Sequence, residues 1–360
     1  MTLFFSPPLM FEDHARTPRN PLLSWRHWTQ FRRGRIPGQI VIQYTDRCNA
    51  SCAQCGMRKE NLYPRSTAQL DEIKRLLDSA ATQGIEAISF TGGEPFMYMN
   101  DILEGMRYAK HVGIRYIRTG TNGFIFMGHQ KAGFADKIHR LAEALAESGV
   151  HNFWISIDSA SVEVHERNRG LPGVVEGIRK ALPIFHAHDL YPTANLGLNR
   201  YLGSVEPPAE PFDADAFYAH FQDGFRRFYQ FVGELGFTIV NACYPMNFDA
   251  DDTSSVYTAT AMTDFVTFSD AEKEQLFRAM LDTIPEFRHK LRIFTPLSAL
   301  QALIRRYEGR EEAGYACCGG IDFFFVDARD MLTCPCGFRG DEALGPFWEL
   351  DLQKDIDTKA

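Results

Sequence analysis

The chain has 360 residues, 45% of them hydrophobic, and a formal net charge of −8 at pH 7. This length suffices for one large domain with an appendage, or for two domains. The negative charge, with no basic block beyond Arg32–Arg35, argues against nucleic acid as a partner. No apolar run could span a bilayer, and Pro7 and Pro8 interrupt the apolar N-terminus, so neither a membrane protein nor a signal peptide is indicated.

After residue 37 the sequence alternates predicted strands with predicted helices. Strands are predicted at Ile40–Thr45, Ile85–Thr91, Ile114–Thr119, Phe153–Ile157, Pro192–Leu198 and Phe237–Ala242. Helices are predicted at Thr67–Gln83, Ile102–His111, Phe134–Ser148, Val174–His188 and Asp213–Glu234. The apolar residues of these helices recur at the spacing of one helix face. This repeated βα pattern predicts a parallel sheet covered by helices.

The residues after the sixth strand carry weaker signals. The polar segment Asn247–Thr267 is a candidate substrate lid, although an ordinary surface loop fits as well. A further helix is predicted at Ser269–Lys290. Ser269 is its expected N-cap, and Glu272 is the expected capping-box partner.

Cys48, Cys52 and Cys55 form a C-x3-C-x2-C motif directly after the first strand, where α/β barrels build active sites. Three thiolates on one loop can hold three irons of a [4Fe–4S] cluster and leave the fourth iron open for chemistry. A structural zinc site is the alternative, but such sites usually take their ligands as two pairs. The 8 cysteines favour metal or redox use over disulfides, which fits a reducing cytoplasm.

Polar or glycine-rich motifs follow the next three strands as well. Gly92 and Gly93 end the second strand, where a double glycine lets the backbone approach a ligand closely, although many ordinary turns share it. Asn122 follows the third strand. Ser156 lies in the fourth predicted strand and Asp158 directly after it, and strand alternation predicts that they share one side.

The cysteine motif, Gly92-Gly93-Glu94-Pro95 and the run His165–Gly170, in this order, resemble the radical S-adenosylmethionine (SAM) superfamily over roughly residues 38–200. The resemblance implies that the open iron chelates SAM, and that reductive cleavage gives a 5′-deoxyadenosyl radical that abstracts hydrogen from a substrate. It also implies an α/β fold, a partial (β/α)6 TIM-type barrel with the cluster at the carboxyl ends of its strands.

The resemblance also suggests roles for individual residues around SAM. The implied contacts are Gly92, Gly93 and Glu94 to the methionine group, Ser156 and Asp158 to the ribose, Arg169 to the carboxylate, Asn195 to the adenine, and Asn122 in the site wall. Glu94 could equally be a structural carboxylate, and Arg169 a solvated side chain. Gln54 replaces the aromatic residue usual in the family, which weakens the expected adenine contact.

The remaining cysteines are Cys243, Cys317, Cys318, Cys334 and Cys336. The stretch from Cys317 to Cys336 resembles a SPASM or twitch extension, in which cysteines flanking a β-hairpin ligate an auxiliary iron–sulfur cluster. The hairpin would pair Phe323–Val326 with Met331–Thr333. In extended chain Cys334 and Cys336 face the same way, whereas the adjacent Cys317 and Cys318 face apart, so one of these two is expected to ligate. Cys243 is a candidate fourth ligand, a buried free thiol, or a hydrogen-atom donor.

We expect three segments: an N-terminal extension (1–37), the partial barrel (38–245) and a twitch-like extension (246–360). The expected function is that of a radical SAM enzyme, of oxidoreductase or carbon-bond-forming type, acting on a small polar metabolite or short peptide with the help of an auxiliary [4Fe–4S] cluster. Its electron donor would resemble flavodoxin or ferredoxin. The short N-terminal extension argues mildly against a leader-peptide-binding domain. The alternatives are an epimerase with Cys243 as hydrogen donor, and a non-catalytic iron–sulfur or zinc protein.

Overall fold

The computed structural model describes residues 38–55, 65–244, 263–310, 319–337 and 342–352. Its strands are β1 (Gln39–Thr45), β2 (Ala87–Gly92), β3 (Tyr116–Thr121), β4 (Asn152–Ser156), β5 (Thr193–Gly197), β6 (Ile239–Cys243), β7 (Arg292–Ile293), β8 (Phe323–Val326) and β9 (Thr333–Cys334). Its helices are α1 (Leu70–Gln83), α2 (Met99–His111), α3 (Phe134–Ser148), α4 (Val162–Arg169), α5 (Val174–Ala187), α6 (Ala214–Leu235), α7 (Asp270–Phe287) and α8 (Leu297–Tyr307).

The strands of the described ranges form one open sheet in the order β7-β6-β5-β4-β3-β2-β1-β8-β9. Every neighbouring pair is parallel except β8 and β9, which are antiparallel. Parallel neighbours require crossover connections, and helices supply them between consecutive strands from β1 to β7. This architecture confirms the predicted α/β partial barrel.

The six predicted barrel strands and the hairpin are present, with ends that shift by one or two residues. The sequence missed α4, α8 and β7. The sequence of α4 is mostly charged and lacks a clear apolar stripe, and β7 has only two residues. One pairing of the hairpin was not predicted: β8 pairs with β1 in parallel and so extends the barrel sheet. The domain boundary at residue 245 stays a prediction.

The main core lies between the sheet and its helices. Alternate residues of the strands, such as Ile40, Phe90 and Ile155, are at most 1% exposed there. The aromatic residues of α6 join this core, and Phe221 and Phe225 are fully buried. These aromatic side chains therefore serve packing.

The opposite side of the sheet, which we call the inner face, consists of the other alternate residues of each strand. On β1 to β7 its positions are Gln39, Val41, Gln43, Ala87, Ser89, Thr91, Tyr116, Arg118, Gly120, Asn152, Trp154, Ser156, Thr193, Asn195, Gly197, Ile239, Asn241, Cys243 and Arg292. Most of them are polar, unlike the helix-covered side. The concave side of the sheet is therefore largely polar, although Gln43, Ser89, Thr91 and Thr193 are buried there.

Two other predictions concern the second half of the chain. The Ser269 side chain accepts from the Glu272 backbone N–H, and the Glu272 carboxylate accepts from the Ser269 N–H, so the predicted capping box at the start of α7 is confirmed. Most of the candidate lid, residues 247–262, lies outside the described residues. Within the described ranges, no helix has the length and apolar character needed to cross a membrane.

Candidate active site at the carboxyl ends of the strands

The cysteine loop follows β1 and is fixed in place by α4. The Ser51 N–H donates to the Arg169 carbonyl at 2.9 Å, and the Ala53 N–H donates to Asn168 Oδ1 at 3.2 Å. Asn168 Nδ2 in turn donates to Gln54 Oε1 at 2.8 Å. Gln54, which departs from the family pattern, thus serves as an anchor of the loop.

The three thiols of the loop are close enough to influence one another. Cys48 is exposed, whereas Cys52 and Cys55 are half-buried. Desolvation raises the pKa of Cys52 to about 12, the nearby Cys55 and Cys48 add to the rise, and the charge of Arg169 opposes it. Desolvation also raises the pKa of Cys48. Metal ions bind thiolates, so binding here must displace protons.

The loop offers donors that suit an iron–sulfur cluster. Three thiols come without a histidine, and two N–H groups approach one sulfur: the Ala50 N–H lies 3.4 Å and Asn122 Nδ2 lies 3.7 Å from Cys48 Sγ. Hydrogen bonds to cysteine sulfur are among the interactions that tune such clusters. The described residues contain no preformed group of three or more metal-ligating side chains, so these thiols must converge when they bind a cluster.

Gly92 and Gly93 hold the end of β2 against the cysteine loop. A Cβ added at Gly92 would lie 2.2 Å from the Thr45 carbonyl oxygen, and one at Gly93 would lie 2.1 Å from that of Arg47. The Gly93 and Glu94 N–H groups donate to these two carbonyls, at 2.7 and 2.9 Å. The structure therefore gives the double glycine a packing reason, and its contact with SAM stays a prediction.

Glu94 is fully buried and links the ends of β2 and β3. One carboxylate oxygen accepts from the Phe96 N–H at 3.0 Å, and the other accepts from the Asn122 N–H at 2.6 Å. Burial raises the pKa of Glu94 to about 7, although both backbone donors favour the ionised form. This geometry supports the structural alternative for Glu94 over a direct ligand contact.

Asn122 directly follows β3 and lies beside the cysteine loop, and its place in the wall of a SAM site stays a prediction. Its amide nitrogen donates to Asn49 Oδ1 at 2.9 Å, and its amide oxygen accepts from the Phe124 N–H at 2.9 Å. Asn122 therefore connects the end of β3 with the cysteine loop.

Asp158 is fully buried and lies beyond the end of β4, which stops at Ser156. The strand alternation that predicted a shared side for Ser156 and Asp158 does not extend this far. The Asp158 carboxylate accepts from Arg169 at 2.9 and 2.6 Å and from Asn168 at 2.9 Å. These contacts give Asp158 the role of positioning Arg169, in place of the predicted ribose contact, whereas Ser156 does lie on the inner face.

His165, in the motif that contains Arg169, is also fully buried. Its Nδ1 accepts from the Asp158 N–H at 3.0 Å, so the proton of the neutral ring lies on Nε2. Burial lowers the pKa of His165 to about 4 despite the nearby carboxylate of Asp158. The 3.9 Å approach of His165 to that carboxylate is consequently no ion pair at neutral pH.

Cys243 ends β6 on the inner face and is exposed, so it is not the buried free thiol that one prediction described. Asn195, on the adjacent β5, places both its amide nitrogen and its amide oxygen 3.5 Å from Cys243 Sγ. Asn241 donates to the Asn195 oxygen at 2.9 Å. Sequence reasoning missed Asn241, although strand alternation with Cys243 would have placed it on the same face.

The C-terminal cysteines are only partly described. Cys334 on β9 is 1% exposed, and Cys336 is half-buried. Cys317 and Cys318 lie outside the described residues. In the sheet, β6 and β9 are separated by β5, β4, β3, β2, β1 and β8. This separation disfavours Cys243 as the fourth ligand of a cluster held near Cys334.

The model of the radical SAM superfamily matches residues 42–200, which include the cysteine loop, the double glycine and α4. An AdoMet-dependent heme synthase of Methanosarcina barkeri (strain Fusaro / DSM 804) is 23% identical over 319 residues, covering 87% of this chain and 82% of that protein. A probable GTP 3′,8-cyclase of Thermococcus kodakarensis is 31% identical, but the match covers 46% of this chain and 50% of that protein.

Solved structures with a similar fold include native anSMEcpe with bound AdoMet, with a TM-score of 0.55, 14% identity, and 89% of this chain and 80% of that chain covered. The structure of Streptococcus suis SuiB bound to the precursor peptide SuiA has a TM-score of 0.58 and 16% identity, and the match covers 91% of this chain and 66% of that chain. At these identities the likeness concerns the fold, and it agrees with the open parallel sheet.

Proposed function

Because the chain belongs to the radical SAM superfamily of enzymes, we propose that it abstracts hydrogen from a small polar metabolite or short peptide in an oxidative or bond-forming reaction. When bound, a [4Fe–4S] cluster and SAM supply a 5′-deoxyadenosyl radical on one-electron reduction. The protein supplies ligands, orientation and a site that excludes water.

The observation that carries this proposal is the attachment of the cysteine loop to α4 at the carboxyl ends of the strands. Cys48, Cys52 and Cys55 would hold the cluster. Arg169 brings a positive charge beside these thiols, which favours their thiolate forms. In this proposal Arg169 also faces the carboxylate of SAM, and Ser156 faces the ribose.

The nature of the inner face supports a polar substrate. Ser156 and Asn241 offer neutral hydrogen-bonding groups there, whereas Ser89 is buried and the Asn152 amide is already hydrogen-bonded within the protein. The names of the relatives cover a heme synthase, a GTP cyclase and a protein bound to a precursor peptide, so the fold accommodates several substrate classes. A small polar metabolite or short peptide therefore remains the class that we propose.

An auxiliary cluster would favour the oxidative form of the reaction, because it could accept an electron from a substrate radical. Cys334 and Cys336 are its proposed ligands, together with Cys317 or Cys318. We propose a flavodoxin-like or ferredoxin-like protein as the external electron donor, and the cytoplasm as the compartment. Neither nucleic acid nor a membrane enters this proposal.

The test is anaerobic reconstitution with iron and sulfide, followed by iron counting and a dithionite-driven assay of 5′-deoxyadenosine release. Wild type and a Cys48/Cys52/Cys55→Ala variant are compared. With two clusters, wild type should hold about eight irons and the variant about four, and only wild type should release 5′-deoxyadenosine. A wild-type protein that binds iron and SAM but releases none would contradict the proposal.

A second candidate function is epimerisation with Cys243 as hydrogen-atom donor. The observation that favours it is an exposed thiol on the inner face, oriented by Asn195 at 3.5 Å. Surrounding protein raises the pKa of Cys243, which keeps the hydrogen on sulfur at neutral pH. In the donating step the S–H bond breaks and a C–H bond forms on the substrate radical. The resulting thiyl radical then takes one electron and one proton from the external donor and solvent.

Cys243→Ala separates the two candidates. If Cys243 donates hydrogen, the variant should still form 5′-deoxyadenosine but should no longer place solvent deuterium in the product. If the reaction is oxidative, the product should carry no solvent-derived deuterium in wild type either. Cys243→Ser is the matched control for size, because its stronger O–H bond donates hydrogen atoms poorly.

A further inference from the structure

Arg118 is a charged residue on the inner face of β3. Its neighbours Ile117 and Thr119 are 1% and 0% exposed and belong to the helix-covered side, so alternation directs Arg118 into the concave side. Its register partners are Ser89 on β2 and Asn152 on β4, and both are neutral.

The guanidinium of Arg118 has no hydrogen-bond or ion-pair partner among the residues that the structure describes. Its Nε is buried without an acceptor. Desolvation alone lowers the pKa of Arg118, and no carboxylate compensates the loss of water. Arg118 as a whole is half-buried, so an anion can still reach its guanidinium. Pairing with an anion is the usual way in which a protein stabilises a charge that has lost part of its water.

No negatively charged side chain occupies the inner-face positions of the strands around Arg118, although the whole chain has a net charge of −8. Arg292, on β7, adds a second positive charge on this face. Burial, and after it the charges of Arg118 and Arg292, lower the pKa of His151, which immediately precedes β4. Arg118, Arg292 and His151 thus bring cationic or protonatable groups to one region, near the amino ends of β4 and β7.

Arg118 also lies within reach of the cluster side of the site. Asn122, which approaches Cys48, follows Arg118 by four positions along the chain. A strand rises about 3.3 Å per residue, so this separation is roughly 13 Å. Gly120 lies between the two positions, and the Trp154 indole packs against it. A metabolite with one end on Arg118 and the other near the site of SAM would therefore pass beside this ring. The guanidinium fork suits the two oxygens of a carboxylate or phosphate.

We propose that Arg118 forms an anion subsite that holds a carboxylate or phosphate group of the substrate inside the barrel. The inference rests on the proposed function, because it concerns the substrate of the same site. It narrows the substrate class to acidic metabolites or to peptides with an acidic group, and it makes Arg118 a residue that determines substrate specificity.

Arginine modification with phenylglyoxal tests the subsite without knowledge of the substrate. The reconstituted protein is labelled at constant ionic strength in chloride, acetate or inorganic phosphate, and the labelling rate of each arginine is read by peptide mass spectrometry. Acetate or phosphate should slow the labelling of Arg118 about tenfold at ten times its dissociation constant. Arg179, an exposed arginine on α5, is the internal control and should be labelled at the same rate throughout.

The two anions distinguish a carboxylate subsite from a phosphate subsite. The inference would be overturned if chloride slowed the labelling of Arg118 as much as acetate or phosphate does. It would also be overturned if neither acetate nor phosphate slowed that labelling. An Arg118 that the reagent never labels would overturn it too, because a subsite must admit small molecules. Protection in a protein that releases no 5′-deoxyadenosine would defeat the proposed function but not the subsite, and release without protection would defeat the subsite alone.

Discussion

Arg169 and Asp158 form a buried two-point ion pair, with Nε and Nη2 of the arginine 2.9 and 2.6 Å from the two carboxylate oxygens. Burial alone would raise the pKa of Asp158, but the charge of Arg169 holds it below its usual range. The backbone of Arg169 also accepts the Ser51 N–H of the cysteine loop. The pair therefore couples the order of α4 to the place where a cluster would bind.

Asp158→Asn should destabilise the protein by about 3–5 kcal/mol, because it leaves the buried Arg169 without a counter-charge. Denaturant unfolding of the reconstituted protein measures this loss, and iron content should fall as the cysteine loop loosens. Glu163→Gln is the matched control, since it removes the partner of the exposed Arg167 and should cost less than about 1 kcal/mol. Equal losses in the two variants would refute the role of the buried pair.

The barrel could be predicted because the apolar periodicity of its strands and helices, and the motifs at its strand ends, are visible in the local sequence. Each predicted strand from Ile40–Thr45 to Phe237–Ala242 is present in the structure, within one or two residues. The capping box at Ser269 was equally readable, because it depends on two residues three apart.

The parts that escaped prediction depend on contacts between distant residues. Helix α4 is mostly charged, and its packing against the cysteine loop cannot be read from periodicity. The parallel pairing of β8 with β1 joins residues almost 300 positions apart in the chain, and nothing local encodes it. The contact between Asn195 and Cys243 likewise needs the register of β5 and β6.

Glu94→Gln should destabilise the protein by about 1–3 kcal/mol at pH 8. The amide group keeps one acceptor oxygen, so its nitrogen must face the N–H of Phe96 or of Asn122. The control Glu143→Gln changes an exposed residue of α3 and should stay within about 0.5 kcal/mol.

The pH dependence of the same variant provides an independent check. The pKa of Glu94 is raised from 4.5 to about 7, so the folded state binds its proton more tightly than the unfolded state. Its contribution to stability is full below pH 4.5 and is lost as pH rises toward 7. The stability difference between wild type and Glu94→Gln should therefore change across this window, and a constant difference would exclude the buried titration.

His165 should make stability depend on pH in the opposite sense. Its pKa is lowered from 6.5 to about 4 by burial, so the unfolded state takes up the proton first. The stability held by the neutral ring is complete above pH 6.5 and is lost as pH falls toward 4. With about 1.4 kcal/mol for each pKa unit, the loss is about 3 kcal/mol.

A comparison of wild type with His165→Gln by denaturant unfolding at several pH values isolates this effect. The variant is less stable than wild type at pH 7.5, because the amide must still accept the Asp158 N–H in a space shaped for a ring. The gap between the two proteins should narrow as the pH falls below 6.5. A gap that widens in acid would show that the ring is protonated in the folded protein.

Gly120 and Gly197 form a matched pair on the inner face, and only one of them tolerates a side chain. A Cβ at Gly120 would lie 1.9 Å from two atoms of the Trp154 indole, whereas one at Gly197 has nothing within 4 Å. Gly120→Ala should therefore cost about 1–3 kcal/mol through forced displacement of Trp154. Gly197→Ala should be neutral or slightly stabilising, since it restricts the unfolded chain without a clash.

A double-mutant cycle assigns the cost to the indole. In a Trp154→Ala background, the Gly120→Ala change should lose most of its effect, because the two residues no longer meet. Denaturant unfolding measures stability, and indole fluorescence in Gly120→Ala reports the displaced ring. An undiminished cost in the Trp154→Ala background would place the clash with the backbone instead. Trp154 pairs with Gly120, which lies two residues after Arg118 on β3. Displacement of the Trp154 indole would therefore also alter the space that a substrate occupies on the inner face.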